Sequence, residues 1–518
     1  MTSRMLRLLA LSLVLAGASL MCSSGYITPQ SLRATQDLLA QLSATASAFV
    51  PSATPTELPS LTPSLRATAS PSPTPQESPS PAPPFIYTAQ SGDTLAALAV
   101  RFGVDPSQIA SPRDIPSGLI PPGQIFTIPH AVGITTPNDK LVPDSEVVYS
   151  PSASGFDPQA YSDPFAGYMS TYREYLPSAW YSGAGVVLRV AQENSLNPRL
   201  LLSILQYQSN WVLGQPTNNS AIDFPIGYRL PQAHGLYQQL TWVAKQLSTG
   251  YYGWREGRLT EISFRDGVRM RIAPELNAGS VAIQYLFAQL YDYEEWLDVV
   301  NRQTGYPFTH ASMFPDPWVR AAQIEPLFPP ALSQPALSLP FLERQVWYFT
   351  AGPHGAWERE GSWAALDFAP SSSQPGCVAS THWVTAAAPG LVVRTSPGVI
   401  VVDMDADGDE QTGWVILYLH VIGDSTPAVG TWLDRGDRLG HPSCEGGAAT
   451  ATHVHLARKY NGEWIGGGGA LPFVLSGWTV EYGADAYLGN LTRDGRVVVA
   501  CTCSGKDSQI TLSSDDPY

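Results

Sequence analysis

The sequence contains one pair of histidines whose spacing suits a metal ion, His453 and His455 in the segment "ATHVHLARKY". On a β-strand, side chains two residues apart point to the same face, so both imidazoles would reach one point. An H-x-H pair alone is weak evidence, because most such pairs belong to ordinary polar strand faces. The pair therefore predicts a metal site only if further ligands are found elsewhere.

Two further candidate ligands lie in "GPHGAWEREGSWAALDFAP", where Asp367 follows His354 by thirteen residues. Asp367 lies on an otherwise apolar predicted strand, and a carboxylate buried there is costly unless it is paired or bound to a metal ion. His354, Asp367 and His455 together make a set of two histidines and one carboxylate. Three protein ligands with a fourth position open to water form the arrangement of catalytic zinc.

The segments that carry these residues are predicted strands of an antiparallel, all-β domain over residues 341–518. Alternating apolar residues, β-branched residues and Gly/Pro turns indicate this architecture. Over residues 346–477, four separated pieces resemble, in order and spacing, the lysostaphin-like (β-lytic) zinc metallopeptidases, which cut peptidoglycan cross-links. The long H-x12-D spacing is similar to the β-lytic branch of that family.

This resemblance implies a role for each residue. One zinc ion per chain is expected on His354, Asp367 and His455, with His453 and His420, the latter in "LYLHVIG", as catalytic histidines. Which of the two accepts a proton and which steadies the oxyanion stays open. The alternative is a catalytically idle wall-binding scaffold, like the degenerate members that activate amidases. Those members usually lose zinc ligands, whereas all five positions are filled here.

An acidic segment and two further histidines of this region are also candidates for a metal site. "DMDADGDE" begins like a calcium loop, but the twelfth position of such a loop is Trp414 rather than a bidentate Glu. We expect an acidic hairpin turn, with Ca²⁺ as the alternative at Asp403, Asp405 and Asp407. His382 and His441 are expected to be surface or packing residues.

Five cysteines are present, at positions 22, 377, 444, 501 and 503. Cys377 lies in the loop after Asp367, and Cys444 lies in the loop before His453. If these ligand strands meet at one ion, both loops leave the same end of the sheet. Their cysteines can then approach the Cα separation of about 5.5–6 Å that a disulfide needs. Cys501 and Cys503 would pair with each other or stay free.

The amino terminus is predicted to be an export signal, residues 1–22, with two arginines before a short apolar run. Cys22, followed by "SSG", resembles a bacterial lipoprotein anchor, although Met21 stands where that family has a small residue. Free secretion is the alternative. Residues 23–84 are predicted to form a Pro/Ser/Thr-rich linker, since this composition cannot bury a core.

Residues 85–130 form the first predicted folded module. "Y-x-x-x-x-G-D-T-L" and "P-G-Q-x-x-x-I-P" begin and end a segment that resembles the lysin motif (LysM), a small βααβ module that binds N-acetylglucosamine chains. The alternative is another small α+β domain.

Residues 157–339 are predicted to be helical from apolar residues spaced three to four apart. "NPRLLLSILQYQSNW", "GLYQQL" and "LNAGSVAIQYL" resemble the all-α, lysozyme-like domain of lytic transglycosylases. That family has a catalytic Glu where this chain has Gln208, and an amide cannot protonate a leaving oxygen. Glu193 and Glu275 lie at other positions. We expect a domain that binds sugar chains or spaces its neighbours; the alternative is a second, glycan-cutting active site using another acid.

The net charge of −15 over 518 residues provides no basic surface for nucleic acid. The sequence thus predicts a multidomain α+β protein at the outer face of the bacterial cytoplasmic membrane, attached only through a lipid anchor. Its expected partner is peptidoglycan, bound through the LysM module and cut by a zinc endopeptidase.

Overall fold

The computed structural model describes residues 82–517, except positions 178, 358, 373, 424 and 425. The predicted signal, Cys22 and nearly all of the linker lie outside these residues. Among the helices of the described part, none combines the length and apolarity needed to cross a membrane.

The LysM segment pairs two antiparallel strands, β1 (Phe85–Thr88) and β2 (Ile125–Ile128), beside helix α1 (Leu95–Phe102). Thr94 begins α1, because its side chain accepts a hydrogen bond from the backbone N–H of Ala97. The expected second helix is wrong: only a 3-10 turn, Pro106–Gln108, forms there. The following "SPRDIPSG" contains two prolines, which lack the N–H that would continue a helix.

The middle segment is mainly helical. Its helices are α2 (Pro158–Ser162), α3 (Tyr168–Thr171), α4 (Gly183–Asn194), α5 (Pro198–Ser209), α6 (Asn219–Asp223), α7 (Leu236–Arg255), α8 (Ala278–Ala288), α9 (Tyr293–Val299), α10 (Tyr306–Met313) and α11 (Pro317–Ala321).

The prediction that this segment is all-α is wrong, because it also contains two β-hairpins. These are β3 (Arg173–Leu176) with β4 (Ala179–Ser182), and β5 (Glu261–Ser263) with β6 (Arg269–Arg271). The second hairpin turns at Asp266-Gly267, where Gly267 has a φ of 86°. An Asp-Gly pair between short alternating segments favours such a turn over a helix.

The carboxy-terminal segment consists of antiparallel strands, as predicted. They are β7 (Val346–Gly355), β8 (Trp363–Pro370), β9 (Val384–Thr385), β10 (Gly390–Ser396), β11 (Val399–Asp403), β12 (Trp414–Leu419), β13 (Val421–Ile422), β14 (Trp432–Leu433), β15 (Arg438–Pro442), β16 (Val454–Tyr460), β17 (Glu463–Trp464), β18 (Val474–Leu475), β19 (Trp478–Tyr482), β20 (Gly489–Arg493), β21 (Arg496–Val499) and β22 (Gln509–Thr511).

The main sheet has the strand order β14-β10-β11-β12-β16-β8-β7-β22, with β17 paired to β16. Smaller sheets are formed by β13-β15-β9 and by β18-β19-β20-β21. The main sheet is buried on both faces. Val402, Ile416 and Leu456 enter a core within the β domain, whereas Leu417 and Ala457 point the other way and share a core with the helices.

A buried arginine joins all three segments. Arg255, at the end of α7, pairs with Glu463 of β17 at 2.9 Å and with Asp144 at 3.0 Å. Its guanidinium also donates to the carbonyl oxygen of Ser91 in the LysM segment. Because these charges are buried, losing one partner would leave another charge unpaired and would destabilise the fold. The three segments therefore pack as one folded unit, within residues 79–518.

Candidate metal centre and the cleft around it

Strand register brings two of the three predicted ligands together. Asp367 on β8 and His455 on β16 are directly opposed, and opposed residues of antiparallel strands point to the same face. His455 Nδ1 lies 3.1 Å from Asp367 Oδ1. This face is the one that the helices cover, since Ala457, two residues beyond His455, enters the shared core.

Two bulges in β7 bring the third ligand close to Asp367. Phe349 is opposed to Phe368, Ala351 to Asp367 and His354 to Ala365, so β7 contains one extra residue at each of these two steps. A regular register continued from Phe349 would place His354 opposite Trp363, and the two extra residues move it along the same face to Ala365. His354 Nε2 then lies 3.3 Å from Asp367 Oδ1 and 3.1 Å from His455 Nδ1.

The donor set fits a metal ion. One donor atom from each of His354, Asp367 and His455 lies within 4.8 Å of the other two, and all three residues are buried. The second ring nitrogens donate to backbone carbonyls, His354 Nδ1 to Gly352 at 2.8 Å and His455 Nε2 to Ala356 at 2.9 Å. Such bonds fix which nitrogen faces the ion, as in protein zinc sites.

The electrostatics of the group favour an ionised carboxylate. Burial alone would raise the pKa of Asp367, but the charges of His354 and His453 and two histidine hydrogen bonds lower it well below its usual range. Burial would lower the pKa of His354, but the Asp367 charge raises it above its ordinary value. Burial lowers the pKa of His455 despite its bond to Asp367. A negative Asp367 is the charge that a divalent cation requires.

The two predicted catalytic histidines lie beside this group. The rings of His420 and His453 are 4.5 Å apart, and His453 Nε2 lies 3.5 Å from Asp367 Oδ2. Both donate from Nδ1 to a backbone carbonyl, His420 to Glu445 at 2.8 Å and His453 to Ala451 at 2.7 Å. Each imidazole therefore keeps its Nε2 lone pair for a proton or a hydrogen bond.

His420 is held in an unusual environment. It follows the last residue of β12 with a φ of 64°, in the left-handed region that residues other than glycine seldom adopt. Burial, together with the charges of His453 and His455, lowers the pKa of its imidazole to about 3. His420 is thus neutral at neutral pH.

A disulfide supports this corner of the site. Cys377 and Cys444, for which pairing was expected, are joined, with their Cα atoms 5.8 Å apart. Neighbouring Ser443 donates to the carbonyl oxygen of His420 from its backbone N–H at 2.6 Å and from its hydroxyl at 3.0 Å. The bridge therefore holds the segment that positions His420. Cys501 and Cys503 are also joined to each other.

The remaining candidate residues lie apart from the donor set. Asp403, Asp405 and Asp407 form a separate acidic group in the turn between β11 and β12, where Asp403 accepts hydrogen bonds from the backbone N–H groups of Asp405 and Gly408. His441 donates to the carbonyl oxygen of His382 at 2.7 Å and packs on Trp383.

Gln208 and the two acids considered in the middle domain, Glu193 and Glu275, each have hydrogen-bond partners of their own. Gln208 accepts a hydrogen bond from Tyr291 at 2.8 Å. Glu193 is bound by Arg189 and Tyr237, and Glu275 accepts from Asn138 at 2.8 Å. Gln208 therefore has a neutral partner rather than an acid.

Two features of the site are not predicted by the sequence patterns. Tyr487 stacks on the His354 ring at 4.5 Å and has a φ of 71°. A cleft of about 2290 Å³ surrounds the metal-binding group, and residues of α4 and α7 form one of its walls.

Comparison with known proteins identifies the modules. The LysM domain model matches residues 87–129, and the model "LasA, N-terminal domain" matches residues 140–327. Protease LasA of Pseudomonas aeruginosa strain PAO1 is 27% identical over 367 residues, covering 66% of this chain and 79% of that protein. Protease LasA of strain UCBPP-PA14 is 27% identical over 362 residues, with the same coverage.

The similarity to Protease LasA agrees with the predicted peptidase domain. The LysM prediction is confirmed by its family model. The lysozyme-like resemblance of the middle domain is not, since the model matched there is the LasA N-terminal domain.

Solved structures also align with part of the chain. The deep-sea M23 metalloprotease pseudoalterin is 24% identical with a TM-score of 0.28, covering 32% of this chain and 96% of that one. The catalytic domain of lysostaphin from Staphylococcus simulans is 20% identical with a TM-score of 0.17, covering 23% of this chain and 87% of that one.

Proposed function

We propose that the protein is a zinc endopeptidase that binds cell-wall glycan through its LysM module and hydrolyses peptide cross-links of peptidoglycan. One observation carries the proposal: His354, Asp367 and His455 turn one donor atom each to a common point, with His420 and His453 alongside. The relationship to a protease and the LysM module support the peptide and glycan parts of this function.

His354, Asp367 and His455 would hold one zinc ion. When bound, zinc supplies a Lewis acid for the scissile carbonyl and lowers the pKa of a bound water. The chain itself keeps both ligand histidines oriented through the carbonyls of Gly352 and Ala356. Asp367 supplies the negative charge.

His420 and His453 would perform the proton and oxyanion work. Their Nδ1 atoms are engaged with carbonyl oxygens, so Nε2 is the atom that accepts a proton or, once protonated, donates to the developing oxyanion. His453 is the partly exposed member and lies next to Asp367; His420 is buried behind it. Mutagenesis of His420 and His453 tests which of them accepts the proton and which stabilises the oxyanion.

The middle domain is proposed to be inactive on glycan. Gln208 has no titratable proton to give, and its bond to Tyr291 keeps the amide in place. The idle-scaffold alternative is less favoured, because the three ligand positions and both histidine positions are filled.

We further propose an envelope location, with Cys22 as a lipid anchor. Mass spectrometry of the amino-terminal peptide from the native host tests it: a diacylglyceryl group on Cys22 supports anchoring, and an unmodified amino terminus at a later residue contradicts it. The proposed activity is tested by zinc analysis together with digestion of purified peptidoglycan.

A further inference from the structure

The cleft around the metal-binding group has a wall that belongs to another domain. The sheet side contains His354, His420 and His453, and the facing side contains Arg189 and Tyr237. At about 2290 Å³ the cleft exceeds the roughly 300–1,000 Å³ of small-molecule pockets. It therefore suits a polymeric or branched peptide substrate, which would contact both sides.

This wall is fixed relative to the sheet. The carbonyl oxygen of Asn194, the last residue of α4, accepts a hydrogen bond from Trp464 Nε1 at 3.3 Å. Ser195 donates to the carbonyl oxygen of Gly462 at 2.8 Å, and Trp464 N–H donates to Tyr252 at 3.0 Å. Since the helices and the sheet also share a hydrophobic core, the wall is a permanent part of the cleft.

Arg189 is one of two cations of this wall; the other, Lys245 of α7, pairs with Glu360 at 2.7 Å. The Arg189 guanidinium lies 5.2 Å from the ring centres of both Tyr181 and Tyr237. Arg189 Nε donates to Glu193 Oε1 at 2.8 Å, and the Tyr237 hydroxyl donates to Glu193 Oε2 at 2.8 Å. Two aromatic rings and one carboxylate thus hold the guanidinium in one orientation.

The outer edge of this guanidinium is available. The Arg189 side chain is 27% exposed, whereas the Glu193 side chain is 8% exposed. Among the described residues, the terminal nitrogens of Arg189 make no hydrogen bond, and only Nε contacts Glu193. A planar fork of free N–H donors is the group that binds a carboxylate through two parallel hydrogen bonds.

We infer that Arg189 is a specificity-determining residue that binds a free carboxylate of the substrate peptide, away from the bond that is cut. The inference rests on the proposed endopeptidase function. Tyr181, Tyr237 and Glu193 act as positioning residues for the guanidinium. With a net charge of −15, the chain as a whole repels acidic peptides, and a positioned cation in the cleft favours the binding of one here.

The test compares two synthetic cross-linked peptides that differ only in whether their free carboxylates are amidated. The zinc-loaded wild type should cleave the acidic peptide with a KM at least about 10-fold lower, because hydrogen bonds to charged groups are the stronger class. Arg189→Gln should bring the ratio of the two KM values near one, and Arg189→Lys should keep part of the preference. The matched control is Arg173→Gln. Arg173 is an exposed arginine of β3 outside the cleft, so this variant should keep the full preference for the acidic peptide.

Binding separates this inference from the proposed function. The two peptides are titrated calorimetrically into His453→Ala, with and without Arg189→Gln. If wild type cleaves neither peptide but the acidic one binds more tightly only when Arg189 is present, the inference survives and the endopeptidase function fails. Three results would overturn the inference. In Arg189→Gln the preference for the acidic peptide could be unchanged, or neither peptide could bind. Arg189→Gln could also cleave both peptides faster, which is expected if the wall obstructs the cleft.

Discussion

His354 Nε2 lies 3.3 Å from Asp367 Oδ1 because two extra residues in β7 shift His354 along β8 towards the carboxylate. A regular register continued from Phe349 would place His354 opposite Trp363, whereas it lies opposite Ala365, two residues closer to Asp367. The two bulges therefore bring His354 of β7 next to the pair formed by Asp367 of β8 and His455 of β16.

The first prediction concerns the metal. Wild type should contain about one zinc ion per chain, and His354→Ala, Asp367→Ala and His455→Ala should each lose it, because three ligands are the usual protein share of a catalytic zinc site. Elemental analysis of the purified proteins measures this. His382→Ala, which removes a histidine that lines the cleft outside the donor set, should keep its zinc. Zinc retained in His455→Ala but lost in His453→Ala would reverse the assignment.

The second prediction concerns the catalytic histidines. His453→Ala and His420→Ala should keep zinc but lose about 10²–10⁴-fold in the rate of peptide cleavage, the usual contribution of a positioned acid or base. Steady-state kinetics on a cross-linked peptide measures the loss. His441→Ala serves as control, because its ring donates to the carbonyl of His382 rather than facing the donor set. Rates within a few-fold of wild type in both variants would remove these histidines from the mechanism.

The structure brings the three predicted ligands together, and residue types and their order carry the information for that prediction. H-x-H on a strand, a carboxylate on an apolar strand and a preceding histidine are local patterns. The two bulges before His354 are different, because they depend on how β7 pairs with β8. The carbonyl partners of the histidines also come from backbone geometry, which residue types do not specify.

The domain interface could not be predicted from sequence. The helical segment shows apolar periodicity, but periodicity does not say that part of the apolar face covers the metal side of the sheet. The periodicity of this segment does not predict its two hairpins, because their strands are only three or four residues long. In the hairpin at Gly267, the Asp-Gly pair was a usable signal.

The third prediction concerns the disulfide at the edge of the site. Replacing Cys377 and Cys444 together by Ser should lower the free energy of unfolding by about 4 kcal/mol in the chain-entropy model, for a sequence separation of 67 residues. Cleavage should also slow, because Ser443 and Glu445 bind His420, whereas zinc should stay bound. Urea unfolding and kinetics measure the two effects.

The matched control is the double Ser variant of Cys501 and Cys503, whose bridge spans a sequence separation of 2. It closes almost no loop, so its effect on stability should be small. Wild-type stability and cleavage in the Cys377/Cys444 variant would show that the bridge does not support the site.

The fourth prediction concerns pH and the buried ion cluster between the helices and the sheet. Glu410 pairs with Arg394 at 2.9 Å and with Lys459 at 3.2 Å. Burial alone would raise the pKa of Glu410, but these cations lower it to about 2, against 4.5 when unfolded. A lowered pKa stabilises the fold fully above the unfolded value, and this contribution is lost as pH falls from 4.5 through 2.

Glu410→Gln should therefore lower the free energy of unfolding at pH 7 by about 3 kcal/mol, and the difference from wild type should shrink below pH 4.5. Urea titrations at several pH values measure it. Glu261→Gln, which breaks an exposed pair with Arg269, should have little effect. A difference from wild type that grows as pH falls would contradict this account of Glu410.

The central claim is that the protein cuts peptide bonds of peptidoglycan with zinc and leaves its glycan strands intact. Mass spectrometry of purified peptidoglycan after digestion, with zinc and with a chelator, tests it most directly. The account predicts fragments with newly formed peptide termini that disappear under chelation and return with added zinc. Anhydro-sugar or new reducing-end products that persist under chelation would contradict it, because they would show that a carboxylate has taken over the role that Gln208 cannot perform.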